Sequence, residues 1–157
     1  MPKAAKPSTS AGPIPADALL RLDQQLCFPL YAASHLVTRL YRPLLEPLGL
    51  TYPQYLAMLV LWEQSPLSVG ELGQRLHLDS GTLTPLLKRL EAGGLVLRTR
   101  STADERRVSV SLTPQGNQLR EAAAGIPRAL GCQLGLEVDE IVRLRADLQR
   151  FVQSLNA

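Results

Sequence analysis

Apolar positions return every three or four residues along much of this chain, and in one stretch they alternate instead. Leu30, Ala33, Leu36, Val37, Leu40 and Leu44 form such a stripe after Pro29, whose fixed φ suits a first helical turn; Pro43 and Pro47 close the segment. Thr51 and Gln54 have capping-box spacing, and the YLAMLVLW that follows is apolar nearly all round, which predicts a core helix ending at Trp62. Ser68 and Glu71 repeat the box before a short helix to about Leu76. His77, Leu78 and Asp79 then turn the chain into a second helix that runs to Glu91 and is stopped by Gly93 and Gly94. Pro85 is tolerable there if that helix begins near Gly81, close to a first turn whose donors are unpaired anyway.

LVLRTRS and RRVSVSLT read as strands, the second alternating Val108, Val110 and Leu112 with Ser109 and Ser111, and STADE between them as a turn. A helix-turn-helix followed by a hairpin bearing Arg98, Arg100, Arg106 and Arg107 is a winged helix in outline. Thr113 and Pro114 open a further helix striped by Leu119, Ala123, Ile126 and Leu130. Ile141, Leu144, Leu148, Phe151 and Leu155 stripe the last one as a coiled-coil-like seam. A winged module does not need these two helices for its own core, so they suggest a second subunit; packing back on the same chain is the alternative. The expected fold is therefore mainly α with a small β-hairpin wing: a winged helix-turn-helix plus N- and C-terminal helices forming a dimerisation domain. The boundaries are a flexible tail at 1–15, N-terminal helices at 16–50, the DNA-binding domain at 51–113 and dimerisation helices at 114–157.

Charge sharpens this picture. The chain of 157 residues has a formal charge of +3. Residues 88–107 alone hold six cations (Lys88, Arg89, Arg98, Arg100, Arg106, Arg107) against three anions (Glu91, Asp104, Glu105), so this window carries the whole excess. Such a strip is the footprint of a phosphate-binding surface, or else a solvated charged face. Ser80, Thr82 and Thr84 open the second helix of the pair, where short hydroxyls reach base edges or phosphates, while Lys88 and Arg89 reach phosphates. Arg106, its guanidinium held by Asp104, would enter the minor groove, and Arg98, Arg100 and Arg107 are either wing contacts or solvated.

The remaining chemistry is sparse. The first fifteen residues, rich in Pro, Ala and Ser, lack the apolar core of a signal peptide, and the longest apolar run, Tyr55 to Trp62, falls far short of the roughly 20 residues that cross a bilayer. Cys27 and Cys132 lie far apart with no CxxC and no histidine at ligand spacing, so no metal, no cofactor and no secreted disulfide framework is expected; a reducing cytoplasm fits. Each cysteine is by default a small buried hydrophobe. His35 and His77 read as a helix-face and a turn residue.

Asp104-Glu105-Arg106 followed by RVSVSLT resembles the wing signature of the MarR family of winged helix regulators. From about Leu20 to Phe151 the order of helices, LHLDSGTLTPLLKRLEAGGLV and LGLTYPQYLAMLVLWE are similar to its organic-hydroperoxide-sensing branch, OhrR. The resemblance implies a dimer on pseudo-palindromic operator DNA that lets go when a peroxidatic cysteine is oxidised. That cysteine would be Cys27 in QLCFPLY, its tyrosine partners Tyr41 and Tyr52, and its resolving thiol Cys132 of the other subunit, as in the two-cysteine subtype. A thiolate is the nucleophile that attacks peroxide oxygen, and two phenol donors would favour it. Leu26, Phe28 and Leu30 would favour an organic hydroperoxide, although a core role suits them equally.

Two other readings stay open. A different branch of the family senses small phenolic or aromatic acids without cysteine chemistry, and an RNA-binding or protein-bridging winged helix is compatible with the charge, although only 4% of residues are aromatic. A thiol peroxidase is not expected, because the thioredoxin-like βαβ pattern is missing and no nucleophile motif is recognisable.

Overall fold

A computed structural model of the chain describes residues 19–100 and 107–156. The 1–15 tail, the STADE turn, Asp104 and Arg106 lie outside the described residues. The chain divides into two compact units, Met1–Val37 and Thr38–Ala157.

In the first unit a 3-10 turn, Leu22–Gln24, precedes the start of helix α1, Cys27–Leu45, which continues into the second unit. No described side chain of the first unit is buried. Pro43 does not close α1, contrary to the sequence expectation: a proline this near the end deletes one rung, and the helix continues to Leu45 before the 3-10 turn Glu46–Leu48 that contains Pro47.

The second unit is built on α2, Tyr52–Glu63, opened by the Thr51–Gln54 capping box. Tyr55, Ala57, Met58, Val60, Leu61 and Trp62 of α2 are buried, so its lack of an amphipathic stripe reflects a helix enclosed by others. Around it lie α3, Val69–Leu76, and α4, Ser80–Ala92, then β2, Val96–Arg100, and β3, Val108–Leu112. A two-residue strand β1, Leu67–Ser68, completes an antiparallel sheet of order β1-β3-β2, with Leu67 opposite Val110 and Arg98 also opposite Val110. β1 left no mark in the hydrophobic pattern: two residues show no periodicity, and only pairing with the distant β3 makes them a strand.

Thr113 caps α5, Pro114–Ala123, accepting from the Gly116 amide. The expected long helix after Pro114 is two, α5 and α6, Ile126–Leu134. Gly125 and Pro127 account for the break: Pro127 cannot donate to Ala123 and suits only a first turn, so α6 restarts there with Gly125 as its N-cap. The last helix, α7, Val138–Leu155, has no buried side chain at all.

Candidate functional site

The turn between α3 and α4 is tight and well capped. Ser68 Oγ accepts from the Glu71 amide, and Glu71 Oε2 accepts from the Ser68 amide at 2.8 Å. The Ser68 hydroxyl, which donates to Glu71 Oε2, and then the Ser68 amide, with a smaller contribution from the charge of Arg107, hold the Glu71 carboxyl below its ordinary range. His77 ends α3 in the left-handed region at φ 53°. A Cβ on Gly73 would stand 2.7 Å from the Leu78 carbonyl oxygen, so only glycine lets the turn close this far. Asp79 caps α4, accepting from the Thr82 amide at 2.8 Å and from Thr82 Oγ1 at 3.0 Å, and these bonds depress its pKa.

Leu83, Leu86, Leu87 and Leu90 seat α4 on the core, leaving Ser80, Thr82, Lys88 and Arg89 exposed and Thr84 half-buried. Thr82 and Thr84 both donate locally, to Asp79 and to the Ser80 carbonyl, so outward they are left as acceptors. Among the described residues Lys88 and Arg89 form no ion pair, whereas Arg98 is tied to Glu91. An open cleft between α3, α4 and the sheet is lined by Ser68, Ser80, Thr84, Arg98 and the exposed Arg107. Pro85, exposed, removes only the bond to the Gly81 carbonyl, near the start of a helix that begins at Ser80.

The tyrosines that the family resemblance singled out do meet. Tyr41 and Tyr52 have ring centroids 4.6 Å apart, and Tyr55, which the sequence reading missed, lies 5.8 Å from Tyr41. Burial, with the neighbouring phenols adding to it, pushes the Tyr41 pKa up to about 12, so the cluster stays in the protonated, donating form. Spacing hides Tyr55 because it falls on the core side of α2.

Neither cysteine is a buried hydrophobe. Cys27 is the first residue of α1 and exposed, beside the exposed Leu26 and Phe28; Cys132 is exposed on α6. Both sit on helix faces that the chain's own core does not reach, which is why apolar character alone misplaced them. Cys27 belongs to the first unit, and Cys132, Tyr41 and Tyr52 to the second.

A family model described as transcriptional regulator SarA/Rot matches residues 39–122. The organic hydroperoxide resistance transcriptional regulator of Bacillus subtilis is 48% identical over 140 residues, covering 87% of this chain and 93% of the relative. Among solved structures, reduced AbfR bound to DNA is 38% identical with a TM-score of 0.72, over 90% of this chain and 99% of that one; AbfR is a Staphylococcus epidermidis protein. Disulfide-formed AbfR is 37% identical with a TM-score of 0.59, over 89% and 93%. The chain therefore belongs to the winged-helix transcriptional regulators of MarR type, matching the SarA/Rot family and the hydroperoxide-resistance regulators, and it is a DNA-binding protein and not an enzyme.

Proposed function

We propose that this protein is a cytoplasmic, redox-sensing repressor that binds palindromic operator DNA as a homodimer and is released when organic hydroperoxides oxidise Cys27. The observation that carries the reading is an exposed cysteine at the head of α1, set among exposed apolar side chains, in a chain whose relatives include a hydroperoxide resistance regulator. The Cys27 thiolate would attack the peroxide, breaking the O–O bond and releasing an alcohol, to leave a sulfenic acid. Cys132 of the partner subunit then displaces water from that sulfur to give a disulfide, which a dithiol reduces. The disulfide form of a relative, AbfR, supports that second step.

Ser80, Thr82 and Thr84 face the major groove in this reading, Lys88, Arg89 and Arg107 the phosphates, and Asp104 with Arg106 the minor groove; Tyr41 and Tyr52 support the sensing sulfur. No helix among the described residues is long and apolar enough to cross a membrane. Fluorescence anisotropy on a duplex from upstream of the protein's own gene, before and after one equivalent of an organic hydroperoxide, tests the whole reading. Tight binding should collapse with peroxide and return with dithiothreitol. Cys27→Ser should bind as tightly and ignore peroxide, while Cys132→Ser should still respond but without forming the intersubunit disulfide and with poorer reversibility. Removing both Lys88 and Arg89 as alanines should weaken binding on every sequence and reduce the slope of log affinity against log salt by about 2. An unchanged slope would take these two side chains off the phosphates.

A second reading rests on a groove within the second unit, mostly apolar, lined by Leu45, Leu50, Tyr52 and Pro53 with Arg39 and Arg42 beside them. It suits a small phenolic or aromatic acid, and release of DNA by such an acid from Cys27→Ser, with no effect of peroxide on the wild type, would favour it.

A further inference from the structure

Glu91 stands in the last turn of the recognition helix α4 and Arg98 in the middle of β2, and three bonds join them. Glu91 Oε1 accepts from the Arg98 amide at 3.1 Å, while Oε2 accepts from Arg98 Nε at 2.8 Å and lies 2.7 Å from the terminal guanidinium nitrogen Nη2. The side chains are only 33% and 23% exposed, which distinguishes the pair from a solvated surface bridge. The amide that donates belongs to an edge strand, since β2 is terminal in the sheet order, so Glu91 also occupies a donor that the sheet leaves unpaired.

What the pair spans gives it meaning. Between α4 and β2 the chain passes through Gly93 and Gly94, the latter at φ 72°, a link of low intrinsic stiffness. On one side is the helix that reads the major groove; on the other is the strand that leads to the wing. We propose that Glu91 is a positioning residue for DNA recognition: by gripping Arg98 across the Gly93–Gly94 turn it sets the wing's distance from the recognition helix, and Arg98 is the far end of that strut and not a phosphate contact. The carboxylate is fully ionised at neutral pH, its pKa lowered first by the side-chain bond from Arg98 and then by the amide.

The proposal rests on the operator-binding reading, and the experiment separates the two. Glu91→Ala, Arg98→Ala and the double variant are compared with wild type on one duplex that wild type binds specifically. Each single variant should lose about tenfold in affinity and the double variant no more, because one shared element has been removed. Hydroxyl-radical protection where the wing enters the minor groove should fade in all three, while major-groove guanine methylation protection from α4 persists; a merely structural defect would weaken both together and overturn the proposal. Arg98→Lys, which keeps the charge but not the planar fork, should not restore the wing footprint. Rescue by lysine, or a loss confined to the Arg98 variants with a salt slope lower by about 1, would make Arg98 a phosphate contact and overturn the strut. If wild type bound no duplex specifically, the operator reading itself would fall, and the strut's role in recognition with it.

Discussion

Replacing Gly116 by alanine is expected to destabilise the protein by about 3 kcal/mol or more, the largest effect expected of a glycine-to-alanine change among the described residues. A Cβ at this position would stand 2.0 Å from the Leu95 carbonyl oxygen and 2.9 Å from its carbon. Both are backbone atoms, so no side chain can swing aside. Nor can the Leu95 carbonyl move freely, because it accepts from the Thr113 amide at 3.1 Å and from Thr113 Oγ1 at 3.2 Å. On its other side the Gly116 carbonyl accepts from the buried Trp62 Nε1 at 2.9 Å, which ties the first turn of α5 to α2. Relief of the clash must break one of these bonds or lift α5 from the core. Urea unfolding followed by far-UV circular dichroism measures the loss. Gly70→Ala is the control: the nearest atom to its Cβ would be 4.0 Å away, in a helical turn, so it should be neutral or slightly stabilising. A Gly116→Ala protein within about 1 kcal/mol of wild type would mean that the α5 turn yields more easily than its bonds suggest.

The elements that the sequence made legible are those whose determinants lie within one turn of each other. Thr51 with Gln54, Ser68 with Glu71, and Thr113 before Pro114 place three helix starts to the residue, because a cap needs only its own side chain and an amide three positions on. The alternation from Val108 to Leu112 located β3 for the same reason: Val110 is fully buried and its neighbours are not. Determinants that act through space stayed hidden. β1 exists only against β3, and Glu91 and Arg98 look like two more surface charges until the fold brings them together. The stripe from Leu119 to Leu130 misled because helical periodicity survives a one-turn interruption: Leu119, Ala123, Ile126 and Leu130 keep facing the core across the break at Gly125. For the proposed sensing residues, residue types and order carried the reading, and the meeting of Tyr41 with Tyr52 needed two helices to pack.

Charging the seam of α7 is expected to turn the proposed dimer into monomers and to cut affinity for operator DNA by about a thousandfold, down toward non-specific binding. The stripe Ile141, Leu144, Leu148, Phe151 and Leu155 has the spacing of a helix contact, yet none of these side chains is buried within the chain. Leu144 and Leu148 are 50% and 40% exposed, and Val138, Val142 and Val152 beside them are exposed too. A row of apolar side chains along a helix of 18 residues, left uncovered by the described residues, is costly in water, and a second copy of the chain is the proposed cover. Because neither leucine contributes to the chain's own core, Leu144→Glu with Leu148→Glu should leave the winged module folded and act through association alone, where two facing pairs of carboxylates would repel. Sedimentation equilibrium reads the assembly state and anisotropy the affinity. A monomer presents one recognition helix where a palindrome offers two grooves about 34 Å apart, so the affinity loss follows from geometry even if every contact within one half-site survives. A variant that remains dimeric and binds the operator as before would place the dimer interface elsewhere and leave the α7 seam without a role in DNA recognition.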